Sequence, residues 1–222
     1  MSNFKLIVFT VPEFFCDEEK IISKLFENGL ETLHLRKPNF SIENLKNFIE
    51  KIPKEFHNRI IIHNNFELLE EFDLKGIHLT EKDKNNFENL EQKYNDIQFF
   101  FNKIISTVCH SISEISEQKT HYKYIFLSPI FDSISKQNYY SKFSTVELLS
   151  AKNKNIIDEK IIALGGIDLK NIKTVYGFNF GGVGILGSLW NFSNDSEAIL
   201  KQFLLLKNEI TIYINNKNKN KL

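Results

Sequence analysis

Two apolar segments that each end in glycine constrain the fold of this chain more than any other feature of its sequence. Residues 160–164 form an aliphatic run, typical of a strand buried on both faces, and the run stops at Gly165-Gly166. A second run, residues 182–186, stops at Gly187. The segment between the two runs predicts one helix, so the two strands form the end of a βαβ unit.

Both glycine turns are candidates for a phosphate site. After the seventh and eighth strands of a (β/α)8 barrel, backbone N–H groups and a helix N-terminus commonly hold a phosphate. Glycine suits such a turn because a larger side chain would keep the phosphate away from the backbone. Each turn alone is more simply explained as an ordinary connection, but two at adjacent strand ends favour the phosphate. Asp168 is the predicted N-cap of the intervening helix.

Short apolar strands alternate with helices along the rest of the chain. This alternation predicts an α/β fold with a parallel sheet and right-handed crossovers. Eight units in this length fit a closed (β/α)8 TIM barrel, with a doubly wound open sheet as the alternative. The predicted strands are residues 5–9, 32–35, 59–62, 76–79, 104–108, 124–127, 160–164 and 182–186. Ser41, Ser111 and Ser144 are predicted to begin three of the helices.

Length and composition agree with one domain. The chain has 222 residues and no net charge, so no basic excess indicates a nucleic-acid partner. No apolar segment approaches the roughly 20 residues of a membrane span. The two cysteines are too few for a disulfide framework and fit a reducing cytoplasm. We therefore expect a cytoplasmic protein with one barrel over residues 1–210 and a disordered polar tail over 211–222, its oligomeric state open and a homo-oligomer included.

Most polar residues suited to chemistry follow a predicted strand. Because the carboxyl ends of barrel strands converge on one mouth, we expect these side chains to line one pocket. In chain order they are His34, Arg36, His63, Asn64, His78, Asp83, His110, Ser133, Ser135 and Lys136.

Several of these residues also have simpler explanations. His78 is more simply a core residue, and Asp83 is as well explained by a helix N-cap as by a metal site. Arg36 and Lys136 are either surface charges or the cations that hold a phosphate or diphosphate. His110 favours a functional role, because it follows a strand beside the predicted anion pocket and an imidazole titrates near neutral pH.

Seven segments of the chain carry a family resemblance. They are LHLRKPN, IIIHNNFEL, KGIHLTEKD, VCHSISE, YIFLSPIFDSISK, IIALGGI and GGVGILGSLW. In content and order they resemble the thiamine phosphate synthase and TenI-type thiazole tautomerase family. The resemblance implies a (β/α)8 barrel acting in thiamine biosynthesis. The family's synthase joins an aminopyrimidine diphosphate to a thiazole phosphate with Mg²⁺, whereas its tautomerase moves a proton on a carboxythiazole phosphate.

The resemblance also implies roles for individual residues. The thiazole-phosphate cup matches Gly165, Gly166, Leu186 and Gly187. The diphosphate-binding loop and the arginine of the second strand match Ser133, Ser135, Lys136 and Arg36. Asp83 matches the second of two magnesium-binding aspartates, and His110 matches the acid–base histidine of the tautomerase.

Four positions depart from the synthase pattern. Asn64 stands where the synthase has its first magnesium aspartate, and an amide oxygen brings no negative charge to a metal site. Val108 replaces a serine that helps to hold the diphosphate, and Pro38 replaces a lysine. His34 replaces a glutamine near the pyrimidine. These departures favour proton transfer over displacement of a diphosphate.

Three functions therefore stay open at the level of sequence. The first is a thiamine-pathway enzyme whose substrate is a thiazole phosphate. It is either a tautomerase that uses His110 and no cofactor, or a synthase that needs Mg²⁺ near Asp83 and also takes an aminopyrimidine diphosphate. The second is a non-catalytic phosphate-ligand binder or regulator. The third is a transition-metal site, which no local ligand spacing supports. Its candidate ligands are His34, His63, His78 and His110.

Overall fold

Eight parallel strands close into a barrel in the computed structural model, which describes residues 4–84, 102–132, 140–191 and 195–219. Each strand pairs with its neighbours in sequence, and the eighth pairs with the first. The strands are β1 (Lys5–Phe9), β2 (Thr32–Leu35), β3 (Ile60–Ile62), β4 (Gly76–Leu79), β5 (Ile104–Cys109), β6 (Tyr124–Leu127), β7 (Ile161–Leu164) and β8 (Gly182–Ile185). The predicted (β/α)8 TIM barrel is confirmed, and the open sheet is excluded.

Helices cover the outside of the barrel. They are α1 (Glu18–Glu27), α2 (Ile42–Glu50), α3 (Glu81–Lys84), α4 (Ile112–Gln118), α5 (Thr145–Asn153), α6 (Ile172–Gly177), α7 (Gly187–Trp190) and α8 (Ser196–Lys219), with 3₁₀ turns at Lys54–Arg59 and Phe66–Leu69. The side chains of Ser41, Ser111 and Ser144 cap α2, α4 and α5, as the sequence predicts. Within the described ranges, no helix combines the length and the apolar composition needed to cross a membrane.

Alternate residues of each strand pack on opposite sides of the barrel wall. In β1, Ile7 and Phe9 point into the barrel interior, whereas Val8 packs outward against the helices. The interior cluster also contains Ile61, Tyr124, Phe126 and Ile162. This period of two gives each strand an outer face for stability and an inner face that can carry polar groups toward the mouth.

Two sequence predictions differ from the structure. The last helix, α8, continues to Lys219, whereas the sequence predicts a disordered tail from residue 211, and residues 220–222 lie outside the described ranges. Tyr213 gives the reason, because its ring stacks on Tyr176 at 3.8 Å between centroids and holds the added turns against α6. The N-cap of α6 is Asn171 rather than Asp168, whose carboxylate instead accepts from the N–H groups of a turn before the helix.

Candidate functional site

The turn after β7 requires glycine for a packing reason. Gly165 and Gly166 have φ of +94° and +66°, in the left-handed region. A Cβ on Gly165 would lie 2.8 Å from the Cα of Pro129, and one on Gly166 would lie 2.2 Å from the carbonyl oxygen of Asp132. The backbone N–H of Phe131 donates to the carbonyl of Gly165 at 3.1 Å. The glycine pair therefore lets the segment after β6 lie directly against the end of β7.

The turn after β8 leaves several donors without partners. Leu186 is the N-cap residue of α7, and its carbonyl accepts from the N–H groups of Leu189 and Trp190. No hydrogen bond from the N–H of Gly187 or Ser188 is found within the described part of the chain. The buried hydroxyl of Ser188 has no partner there either. Three unpaired donors at one turn are a ready site for the oxygens of an anion.

His110, directly after β5, is held in one tautomer. Its Nδ1 lies 2.8 Å from the carbonyl oxygen of Ser128. Because a carbonyl only accepts, Nδ1 carries the hydrogen, and the neutral ring presents the lone pair of Nε2. The backbone N–H of His110 donates to Glu114 at 2.9 Å. Ser128 immediately precedes Pro129, which lies against Gly165, so the imidazole and the glycine turn contact successive residues of one segment.

His34 lies inside the barrel within a cluster of polar rings. Its Nδ1 is 2.9 Å from Nε2 of His63, and its Nε2 is 2.6 Å from the hydroxyl of Tyr124. Nδ1 of His78 is 3.0 Å from the hydroxyl of Ser106. Burial lowers the pKa of all three imidazoles, to about 3 for His78, so each is neutral near pH 7. Both nitrogens of His34 have partners in this arrangement, and neither is free for a substrate.

Arg36 and Lys37 follow β2 but have different surroundings. The backbone N–H of Arg36 donates to the hydroxyl of Thr10, and no hydrogen bond of its guanidinium is found within the described ranges. Lys37 is fully buried and donates to both carboxylate oxygens of Glu18, at 2.6 and 2.8 Å, and to the carbonyl of Glu13. Burial raises the pKa of Glu18 to about 7. Arg36 is therefore the cation available to a ligand here.

Asp83 and Asn64 offer oxygen atoms to a hard cation. Asp83 lies within α3, and its carboxylate accepts from the N–H and the hydroxyl of Thr80, at 2.9 and 2.5 Å. Asp83 is therefore not the N-cap residue that the sequence suggested. It lies in the first turn of α3, and its carboxylate caps the backbone N–H of Thr80, the residue before the helix. The amide oxygen of Asn64 is buried and has no partner among the described residues. One carboxylate and one neutral amide oxygen are ligand types that Mg²⁺ accepts, and substrate oxygens would have to complete its shell.

A comparison with protein families decides the identity of the barrel. The family model described as thiamine monophosphate synthase matches residues 7–189, which include all eight strands except the first two residues of β1. The chain belongs to this family. The resemblance predicted from the seven sequence segments is confirmed.

Individual relatives in the thiamine monophosphate synthase family agree with the match. The thiamine-phosphate synthase of Staphylococcus carnosus (strain TM300) is 23% identical over 82% of this chain and 86% of its own length. Thiamine-phosphate synthase 1 of Streptococcus pneumoniae (strain ATCC BAA-255 / R6) is also 23% identical, over 81% of this chain and 85% of its own. A solved structure, the thiamine phosphate pyrophosphorylase from Bacteroides thetaiotaomicron, is 36% identical, covers 94% of this chain and 98% of its own, and superposes with a TM-score of 0.78.

The predicted site residues of this family member fall into two described groups. The first group, at the ends of β5, β7 and β8, contains His110, Gly165, Gly166, Leu186 and Gly187. The second, at β2, β3 and β4, contains His34, Arg36, Asn64 and Asp83. Ser133, Ser135 and Lys136 lie outside the described residues. The roles of all these residues, in both groups and outside the described ranges, stay predictions.

Sequence reasoning missed three features of the site. It did not assign Ser188 a role. Because this residue directly follows Gly187, its hydroxyl could have been predicted as a further hydrogen-bond donor to a phosphate. Sequence reasoning assigned no role to Lys37, which the structure pairs with Glu18. It gave no role to Tyr124, because only the closed barrel brings its hydroxyl in β6 to His34 in β2.

Proposed function

We propose that this member of the thiamine monophosphate synthase family binds a thiazole phosphate at the ends of β7 and β8 and transfers a proton on it through His110. The substrate would be a carboxythiazole phosphate, and the reaction a tautomerisation to the aromatic ring. The observation that most supports this proposal is the fixed orientation of the His110 imidazole. With Nδ1–H held by the carbonyl of Ser128, Nε2 is available as a base beside the glycine turn.

The phosphate end of the substrate would bind at the turn after β8. The N–H groups of Gly187 and Ser188 and the Ser188 hydroxyl are the donors for the phosphate oxygens. Hydrogen bonds from neutral donors to a charged acceptor are among the stronger ones in proteins. The Gly165-Gly166 turn would form the adjacent wall of the cup, and its glycines let the segment after β6 lie directly against it.

The proton-transfer step needs one group that can both accept and return a proton. His110 would take a proton from the ring of the non-aromatic tautomer at Nε2 and return one at another ring position, so no group leaves and the enzyme is unchanged. The carbonyl of Ser128 would hold the imidazolium that forms. The guanidinium of Arg36, free of hydrogen bonds within the described ranges, suits the substrate carboxylate. Such acid–base catalysis typically contributes about 10²–10⁴-fold to the rate.

Coupling of a thiazole phosphate to an aminopyrimidine diphosphate is the second candidate. Asp83 and the unpartnered oxygen of Asn64 support it, because together they could hold Mg²⁺, which would neutralise the departing diphosphate. The names of the curated relatives support it as well. Against it stand the occupied nitrogens of His34 and the single carboxylate of the magnesium site.

Proton exchange measures the first candidate directly. The untagged chain is incubated with carboxythiazole phosphate in D₂O, and the tautomers and their deuterium content are followed by NMR. We expect turnover that His110→Ala lowers by about 10²-fold or more. His121→Ala, at an exposed histidine, is the matched control and should keep the full rate. Full activity of His110→Ala would contradict the proposal.

Product formation with both substrates separates the candidates. We expect no thiamine phosphate when thiazole phosphate, aminopyrimidine diphosphate and Mg²⁺ are supplied together. Thiamine phosphate that forms with Mg²⁺ and disappears in Asp83→Ala would establish coupling instead. Tight binding of thiazole phosphate by calorimetry, with neither reaction, would establish the non-catalytic binder.

A further inference from the structure

We propose that His34, His63 and His78 form a binding site for a divalent transition metal ion of the zinc class inside the barrel. One ligating nitrogen from each of the three side chains lies within 4.8 Å of the others, and all three residues are buried. The site goes beyond the proposed function, which uses His110 and the β7–β8 turn. His110, which the sequence analysis included among the candidate ligands, is not in this group of mutually close nitrogens.

The three residues come from adjacent strands whose register brings their rings together. His34 lies in β2, His63 directly after β3 and His78 in β4. The ring centroids of His63 and His78 are 4.3 Å apart, and those of His34 and His63 are 5.1 Å apart. A tetrahedral ion with Zn–N bonds of about 2.0–2.1 Å holds its ligand nitrogens about 3.3–3.4 Å apart. Ring rotations that shift the nitrogens by about 1 Å would therefore complete the site.

Hydrogen bonds already orient two of the three rings as metal ligands are usually oriented. A metal-bound histidine normally anchors its second nitrogen on another group, which fixes the ring and its tautomer. Nε2 of His34 is anchored on the hydroxyl of Tyr124, and Nδ1 of His78 on the hydroxyl of Ser106. Nδ1 of His34, Nε2 of His78 and Nε2 of His63 are left as ligands. The ion would take the place of the hydrogen atom in the hydrogen bond between Nδ1 of His34 and Nε2 of His63.

The donor set selects the class of ion. Neutral imidazoles favour zinc, cobalt, nickel and copper over magnesium and calcium, which require oxygen. Burial keeps the rings in the neutral form that binds metal, and the nearby charge of Arg36 also disfavours protonation. The same charge opposes a dication, so the affinity should be lower than that of a site with a carboxylate ligand. A set of three histidines leaves a fourth position open for water or a ligand atom.

Titration of the untagged full chain with Co²⁺ and Zn²⁺ tests the site. We expect one Co²⁺ per chain, with the intense visible absorption of a four- or five-coordinate ion, and its displacement by one Zn²⁺. His63→Asn and His78→Gln should each weaken binding by about tenfold or more. His121→Gln, which removes an exposed histidine, should leave binding unchanged. Equal weakening in His121→Gln would assign the binding to the surface and overturn the proposal.

Two further measurements keep the test independent of folding in the histidine variants. Tyr124→Phe keeps the ring but removes the hydroxyl that anchors His34, and it should weaken Co²⁺ binding while the chain stays folded by circular dichroism. X-ray absorption of the zinc-loaded wild type should show three imidazole ligands. A shell of oxygen ligands only, or no stoichiometric uptake, would overturn the proposal whether or not the proton-transfer activity is found.

Discussion

The two sides of the barrel mouth treat their polar groups in opposite ways. At β7 and β8 the backbone approaches closely through glycine, and the donors of Gly187 and Ser188 have no partner within the described ranges. At β2, β3 and β4 the polar groups are side chains, and His34 has both of its nitrogens hydrogen-bonded to neighbours. One side leaves backbone donors open to an external anion, whereas on the other side His34 is hydrogen-bonded to His63 and Tyr124.

This contrast has an energetic meaning. A buried donor without a partner costs free energy in the absence of a ligand, and a ligand that supplies the acceptor recovers it. His34 already has a partner for each ring nitrogen and gains nothing from a phosphate. Substitutions that are chemically equal on the two sides should therefore have different, even opposite, effects.

The largest expected effect is that of a methyl group at the glycine turn. Gly166→Ala would place a Cβ against the carbonyl of Asp132 at a φ of +66°, and should lower the free energy of unfolding by roughly 2–4 kcal/mol. Gly177→Ala is the control, because nothing lies within 4 Å of its added Cβ, and it should be neutral or stabilising. Urea unfolding measures both. Equal stability of the two variants would refute the packing role of the turn.

Acid should affect the histidine side next. The pKa of His78 is about 3 in the folded chain against 6.5 in the unfolded one, so protons bind the unfolded state preferentially and stability falls below pH 6.5. At pH 5 this histidine alone should cost about 2 kcal/mol relative to neutral pH. Urea unfolding at pH 7 and pH 5 should show that His78→Asn loses less stability than wild type. A loss as large as that of wild type would contradict the neutral cluster.

The smallest expected effects come from the most direct comparison, in which serine is replaced by alanine once beside the phosphate turn and once beside the histidines. Ser188→Ala removes an unpaired buried hydroxyl, so it should leave stability unchanged or slightly raised while weakening thiazole phosphate binding by about tenfold. Ser106→Ala strips His78 of its partner and should lower stability by about 1–3 kcal/mol. Calorimetry and urea unfolding measure the two quantities. The contrast fails if both variants lose stability equally.

Features encoded by neighbouring residues could be predicted from the sequence. The strand ends, the serine caps at Ser41, Ser111 and Ser144, and the glycine turns all depend on short patterns. The order of strands and helices along the chain was enough to predict the closed barrel, because eight short βα units can be arranged in few other ways. The reach of α8 was missed because its last turns depend on Tyr213 contacting Tyr176, a partner far away in sequence.

The arrangement of side chains within the mouth could not be predicted in this way. His34, His63 and His78 meet because the register of three strands aligns them, and a shift of one residue would turn any of them outward. The sequence explained the glycines after β7 by a phosphate alone. The structure adds a packing reason that the sequence could not show, because the backbone of Pro129 and Asp132 comes from another βα unit.

The buried contact between Lys37 and Glu18 has a consequence for anyone who rebuilds this barrel. It ties the connection that precedes α1 to the connection that follows β2, and its lysine also reaches the carbonyl of Glu13. Removing either partner would strand a charge in the interior, which commonly costs about 3–5 kcal/mol. Loops grafted onto this corner must therefore be exchanged as a pair.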